Sequence, residues 1–257
     1  MQIDLGPVES RLHEAAAKGR KQFMVLVDPD RLDPATLPAL AREAVEAGVD
    51  GFLAGTSLLL GEGFGGVVAR LRKESGLPVV LFPGDTGQVV PEASAILFLS
   101  LISGRNPQFL IGEQVKGAPQ VMRAGLECLP TAYVLVESGL VTSAQFMSAS
   151  QPLPRHKPEI AVAHAMAARC LGLRQLYLEA GSGAPSRVPD EMVRAVKDVF
   201  PWPVIVGGGL RVPEDGARVA RAGADVVVVG TAVENGSIRG GRLKEFVSAV
   251  HGESRHA

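Results

Sequence analysis

The residues best suited to chemistry gather at Tyr177-Leu178-Glu179-Ala180-Gly181-Ser182-Gly183. From Arg174 onward the chain alternates Leu176, Leu178 and Ala180 with Tyr177 and Glu179, the pattern of a buried strand. It ends at Gly181-Ser182-Gly183, where the backbone can turn sharply and aim N–H groups at an anion. A carboxylate at a strand end beside such a loop suits a ligand carrying both hydroxyls and a phosphate. An ordinary strand-to-helix turn with an incidental acid has the same local sequence, so the companions decide. Gly207-Gly208-Gly209 and Gly230-Thr231 each close a later apolar run and could supply further N–H groups to one phosphate. Asp28 and Thr56 close two early runs. A carboxylate with a neighbouring hydroxyl can hold Mg²⁺, which takes one or two carboxylates and completes its shell with phosphate and water oxygens. Capping of the Asp28-Pro29-Asp30 turn is the alternative role for Asp28, and Asp30 reads as a turn former.

Residues 7–19 form an amphipathic helix before the first strand, Phe23 to Asp28. A helix over 38–48 ends at Gly48, where a left-handed cap belongs. Strand two is Asp50 to Ala54, helix two covers residues 63–75, and strand three is Pro78 to Phe82. Pro83, Gly84, Gly87 and Pro91 then leave too few uninterrupted residues for a helix before strand four, Ala95 to Ile102. A helix follows Asn106-Pro107, and strand five is Ala132 to Val136. A long polar loop runs from Glu137 to Pro158, and a helix covers Glu159 to Leu171. After the Glu179 strand come a helix over 190–199, strand seven (Pro203 to Val206), a helix from Pro213, strand eight (Asp225 to Val229) and a last helix over 241–250. Eight near-continuous apolar strands with intervening helices predict one parallel α/β domain over 1–257. The fold class is a (β/α)8 TIM barrel whose third outer helix is replaced by an irregular segment. In such barrels the working face lies at the C-terminal strand ends, where all the residues above fall. On that reading Asp28 sits across the barrel mouth from the glycine cradle.

Composition excludes several classes of function. With 257 residues and 46% hydrophobic content the chain can bury a sizeable core. A net charge of −1 and 5% aromatic content give no reason to expect a nucleic-acid partner. Cys128 and Cys170 have neither metal-ligand spacing nor a disulfide framework. No apolar run reaches the roughly 20 residues of a membrane helix and no secretory signal is visible, so a cytoplasmic location is expected. None of the seven lysines ends a strand, which disfavours a Schiff-base aldolase. His13, His251 and His256 are terminal, His156 lies in the polar loop and His164 sits mid-helix, so no serine–histidine–acid set can be assembled. Arg105, Arg155 and Lys157 are cations that could hold a second phosphate group or simply face solvent.

The chain resembles the geranylgeranylglyceryl phosphate synthase family, which includes the bacterial heptaprenylglyceryl phosphate synthases. The matching pieces are Val27 to Asp30, Ser103-Gly104-Arg105-Asn106-Pro107, Pro154-Arg155-His156-Lys157-Pro158, Tyr177 to Gly183, Val206 to Gly209 and Gly230-Thr231. The Ser-Gly-Arg-Asn-Pro piece is similar to that of the family's second, bacterial-and-archaeal group. The resemblance implies transfer of a polyprenyl group, geranylgeranyl in the commonest case, from its diphosphate to the 3-hydroxyl of sn-glycerol 1-phosphate. It implies Mg²⁺ at Asp28 and Thr56, glycerol phosphate held by Tyr177 through Gly183, Gly208, Gly209, Gly230 and Thr231, and no regular third helix. Where the family often has Gly-Gly-Ser or Gly-Gly-Thr this chain has Ala54-Gly55-Thr56 with Ser57 adjacent, leaving two candidate hydroxyls. Where the family often has Gly-Asn the chain has Gly230-Thr231, which retains the backbone N–H.

On these grounds Glu179 is expected to accept the proton of the attacking hydroxyl, Tyr177 to orient the same ligand, and Asp28 to anchor the metal. The helical gap would expose a groove for the prenyl tail, with Phe82, Phe98 and Phe109 as candidate stops. Self-association and transient contact with a membrane surface are further expectations. The rivals are a phosphate-binding barrel isomerase or lyase using Asp28 and Glu179 as acid and base, and a non-catalytic phosphometabolite-binding barrel.

Overall fold

A computed structural model describes residues 5–252; the ends of the 1–257 domain, with His256, lie outside the described residues. Eight strands pair in parallel, each with the next, and the last with the first, closing a barrel. They are β1 (Gln22–Val27), β2 (Gly51–Ala54), β3 (Val79–Leu81), β4 (Ala95–Leu101), β5 (Glu127–Leu135), β6 (Gln175–Glu179), β7 (Val204–Gly207) and β8 (Val226–Val229). The outer layer is built from α2 (Leu37–Ala47), α3 (Phe64–Ser75), α4 (Glu113–Ala124), α6 (Pro158–Cys170), α7 (Asp190–Val199), α8 (Pro213–Ala222) and α10 (Gly240–His251). Two short helices, α5 (Ser143–Ser148) and α9 (Thr231–Glu234), decorate the loops after β5 and β8.

Strand side chains alternate between two cores. Val25, Phe52, Leu81, Val134, Leu178, Val206 and Val227 face outward against the helices. Met24, Leu53, Val80, Leu97, Leu129, Tyr177, Ile205 and Val228 face inward and fill the barrel. The helix before β1, α1 (Pro7–Ala17), adds Leu12 and Val8 to the inner core and so plugs the N-terminal mouth. Its attachment is polar: the Glu127 carboxylate accepts the Val8 and Glu9 N–H groups at 2.9 and 2.7 Å. Buried Glu9 in turn receives Arg174 through two bonds of 2.8 and 2.9 Å. With α1 across that mouth, the large cavity among the described residues opens at the C-terminal strand ends.

The expected gap in the helical layer is present. Between β3 and β4 there is only a 3₁₀ turn, Thr86–Gln88, because Pro83 and Pro91 interrupt any longer ladder. Three local differences from the sequence reading have physical causes. Strand β5 begins at Glu127 rather than Ala132, since residues 127–131 pair in register with Ala95 to Leu99 despite Pro130. The polar loop 137–158 contains α5, whose N-cap Thr142 accepts the Gln145 N–H at 3.2 Å. The segment before α4 is a single wide turn, Gln108–Gly112, with the π hydrogen-bond spacing.

Candidate active site

Strand alternation selects the groups that reach the open mouth. Leu26 and Tyr177 face inward, so Asp28 and Glu179, each two residues on, also face inward. Both line one cavity of about 930 Å³, together with Thr56, Gly181, Ser182, Gly183, Gly208, Gly209, Gly230 and Thr231. Leu178 and Ala180 do not: their side chains are buried in the outer core, and only their backbone belongs to the site. By the parity of β6, a part for these two in holding the ligand falls to their backbone.

Glu179 is 5% exposed and sits above an aromatic floor. Phe82 stacks on Tyr177 with centroids 5.0 Å apart, and Tyr133 meets both edge-on. Burial pushes the Glu179 carboxyl up to about 7, while the Gly181 N–H, bonded to its Oε1 at 2.5 Å, and the nearby Tyr177 hydroxyl pull it partly back. The Tyr177 hydroxyl completes no hydrogen bond of its own. A carboxyl titrating near neutrality beside a buried hydroxyl with spare hydrogen-bonding capacity can serve a hydroxylic ligand.

Three loops converge beside it. Ser182 Oγ and Thr231 Oγ1 lie 2.7 Å apart, tying the loop after β6 to the start of α9. Glycine is required at the centre. A Cβ on Gly208 would lie 2.5 Å from both Glu179 Oε1 and Gly181 N, and the residue has φ +83°. A Cβ on Gly181 would lie 2.1 Å from Thr142 Cγ2.

The Asp28 rim is a network. Thr56 Oγ1 donates to Asp28 Oδ2 at 2.9 Å, so of the two candidate hydroxyls it is Thr56 that meets the carboxylate. Asp28 Oδ1 accepts the Asp30 N–H at 3.0 Å, so the turn-capping role holds as well. Arg31 Nε lies 3.4 Å from Asp28 Oδ2. Glu234 Oε1 accepts the Asp28 N–H at 2.8 Å, and burial with the Asp28 charge raises the Glu234 pKa against the pull of that N–H and of Arg31. This corrects the expectation that Asp28 lies across the mouth from the cradle. Because β1 pairs with β8, the carboxylate stands next to the Gly230-Thr231 loop. Asp30 is more than a local turn former, since its carboxylate accepts the Leu60 and Gly61 N–H groups at 2.7 and 2.8 Å.

Residues 16–250 match the PcrB family. The chain belongs to that family. It is 45% identical to the geranylgeranylglyceryl phosphate synthase of Thermococcus kodakarensis over 254 residues, 97% of this chain and 100% of the relative. It is also 45% identical to the enzyme of the same name from Pyrococcus furiosus over 244 residues, 94% of this chain and 96% of the relative. Among solved structures, (S)-3-O-geranylgeranylglyceryl phosphate synthase from Thermoplasma acidophilum in complex with sn-glycerol-1-phosphate superposes with a TM-score of 0.91 at 31% identity. The match covers 96% of this chain and 100% of that one. Thiamine phosphate pyrophosphorylase from Pyrococcus furiosus, at 14% identity and TM-score 0.59, shares the barrel fold alone.

Away from the cradle this PcrB-family cavity carries a run of apolar side chains along the helical gap, with polar groups such as Asp85, Thr86, Glu113 and Gln114 among them. Leu97 and Leu99 line it from the inner face of β4, and Ile96 and Phe98 from the outer face, with Phe109, Val121 and Met147 opposite. Of the three aromatic candidates, Phe82 lies in the floor below Glu179, whereas Phe98 and Phe109 line the gap. The cations singled out in sequence are not in the wall. Arg105 Nη1 is turned onto its own loop carbonyls, Arg155 Nη2 reaches the Arg187 carbonyl at 3.5 Å, and Lys157 pairs with Glu159 at 3.6 Å. The arginines that line the cavity are Arg31, Arg211 and Arg242, which no strand-end rule could have selected because each belongs to a loop or an outer helix. Among the described residues no helix is long and apolar enough to cross a membrane.

Proposed function

We propose that the chain joins a polyprenyl diphosphate to the 3-hydroxyl of sn-glycerol 1-phosphate, releasing diphosphate and leaving an ether-linked prenylglyceryl phosphate. The observation that carries this reading is continuity. One cavity joins the Glu179–Tyr177 pair and the glycine cradle to a stretch lined by Ile96, Leu97, Phe98, Leu99, Phe109 and Val121 beside the helical gap. A phosphate and two hydroxyls fit the first half. A hydrocarbon chain fits the second, with burial contributing about 0.8 kcal/mol per CH₂.

The donor set at the rim fits Mg²⁺. A single carboxylate with one hydroxyl beside an open cavity suits an ion that takes most of its oxygens from diphosphate and water. No group of three or more His, Cys, Asp or Glu that could enclose an ion alone occurs among the described residues. Asp28 and Thr56 would hold the ion, and when bound it supplies positive charge that offsets the departing diphosphate.

The protein's own groups account for the other half of the reaction. The glycine loops and Ser182 hold the glycerol phosphate with its 3-hydroxyl toward that stretch. Glu179 Oε1 is occupied by the Gly181 N–H, leaving the second oxygen to receive the hydroxyl proton. As the allylic carbon–oxygen bond breaks, its electron pair leaves with the diphosphate, and the glycerol oxygen supplies the pair for the new bond. Arg31 and Arg242 take the diphosphate-facing role, and Arg105, Arg155 and Lys157 are outside the cavity wall. Self-association through exposed side chains such as Val115 and Met122 of α4, and a cytoplasmic location, belong to the same reading.

Turnover of labelled sn-glycerol 1-phosphate with farnesyl, geranylgeranyl and heptaprenyl diphosphates tests it. Magnesium-dependent ether formation with one of the three is expected. Isomerisation or cleavage of a sugar phosphate without Mg²⁺ would favour the isomerase or lyase. Binding of glycerol phosphate with no product from any diphosphate would favour the non-catalytic barrel.

A further inference from the structure

The geometry points to Gln88 as a positioning residue for the Asp28–Thr56 pair, a role that rests on the function proposed above. Gln88 is fully buried, and its side chain makes two hydrogen bonds, both to the backbone of Thr56. Its Oε1 accepts the Thr56 N–H at 3.0 Å, and its Nε2 donates to the Thr56 carbonyl at 2.8 Å. A neighbouring strand would normally offer this donor and acceptor together.

No strand is there to offer it. The last rung between β2 and its neighbour is the Phe82 N–H to the Ala54 carbonyl at 2.8 Å. In this register the next rung would join the Thr56 N–H to the Phe82 carbonyl and the Gly84 N–H to the Thr56 carbonyl, but the chain turns away at Pro83 and both Thr56 groups bond to Gln88 instead. Gln88 returns from the irregular segment and supplies the missing rung with its side chain. The surrounding backbone is held tightly: a Cβ on Gly55 would lie 1.9 Å from the Phe82 carbonyl oxygen, and one on Gly84 would lie 2.3 Å from the Thr56 carbonyl oxygen.

The consequence reaches the rim through Thr56 alone. Gln88 does not line the cavity, so it touches no substrate. It fixes the peptide frame from which Thr56 Oγ1 reaches Asp28 Oδ2 at 2.9 Å. An amide carries both a donor and an acceptor at this length at any pH; ionised glutamate lacks the donor, and methionine offers only a weak acceptor. The irregular segment therefore does two things: it leaves the helical gap, and it returns one side chain that orders the hydroxyl beside Asp28.

The test uses the full chain, with Mg²⁺ and inorganic diphosphate as the probe, read by calorimetry. In the parent, diphosphate binding should require magnesium. Gln88→Met and Gln88→Glu should each raise the half-saturating magnesium concentration about ten-fold or more, while binding of sn-glycerol 1-phosphate stays within about two-fold. In a Thr56→Ala background, Gln88→Met should add less than about two-fold, because the route through the hydroxyl is already gone. Additive losses, or equal weakening of both ligands, would assign Gln88 a general structural role and overturn the proposal. If Gln88→Met does not fold, Gln88→Glu decides, since it keeps the acceptor for the Thr56 N–H and loses only the donor. A parent that binds magnesium diphosphate in no condition would overturn the proposed function as well, before any variant is compared.

Discussion

Replacing Glu179 with glutamine should make the protein more stable at alkaline pH and at the same time remove its activity. The folded chain holds this carboxyl protonated up to about pH 7, against 4.5 for an unburied glutamate. The folded pKa is raised, so the folded state binds the proton more tightly than the unfolded state. Stability is fully present below the unfolded value and is lost as pH rises through the folded one. Each pKa unit corresponds to about 1.4 kcal/mol, so the ionised parent carries a cost of about 3 kcal/mol above both values. Glutamine has nearly the same shape and never ionises. The advantage of Glu179→Gln, measured by urea unfolding of ligand-free protein, should therefore grow by about 2 kcal/mol between about pH 5.5 and 8.5. Turnover should fall by about 10²- to 10⁴-fold, the usual contribution of a general base. The kcat/KM of the parent should rise with pH through about 7, as the base loses its proton. A stability difference that stays flat across that pH range would refute the buried, near-neutral carboxyl, whatever the activity assay reports.

Asp28→Ala should abolish magnesium-dependent turnover and leave sn-glycerol 1-phosphate binding within about two-fold, as followed by calorimetry. Gly208→Ala places a methyl group against Glu179 Oε1 and Gly181 N at a positive φ, so glycerol phosphate affinity should drop by about ten-fold or more; normal affinity would remove Gly208 from the cradle. Glu234→Ala strips the acceptor from the Asp28 N–H and should cost about 1–3 kcal/mol of stability, whereas Glu234→Gln keeps an oxygen there and should restore most of it; equal losses would mean the hydrogen bond is not the cause. Arg242→Ala should raise the KM for the prenyl diphosphate, and Arg105→Ala should leave it unchanged; the reverse result would move the diphosphate site to the other loop.

Much of the barrel is written locally. Gly48 adopts φ +82° at the end of α2, as its place after an apolar-periodic run requires. The prolines at 83 and 91, with Gly84 and Gly87 between them, leave room for no more than a short turn in the third outer position. The alternation through Tyr177 and Glu179 predicts that these two share a face, and the same parity sends Leu178 and Ala180 to the other core, a consequence the motif alone obscures.

Local order along the chain thus dictates which strand residues face the mouth, where glycines break the strands, and where a regular helix is interrupted. These follow from backbone sterics and from a side-chain period of two, both of which act between near neighbours. The tertiary structure alone decided that Asp28 stands beside the glycine cradle, that Thr56 rather than Ser57 meets it, that Gln88 and Glu234 support the pair, and which arginines reach the wall. Those partners lie 28 to 206 residues apart in the chain. Barrel closure brings them together, and only the completed burial raises Glu179 toward neutrality, because desolvation is a property of everything around a group rather than of its place in the chain.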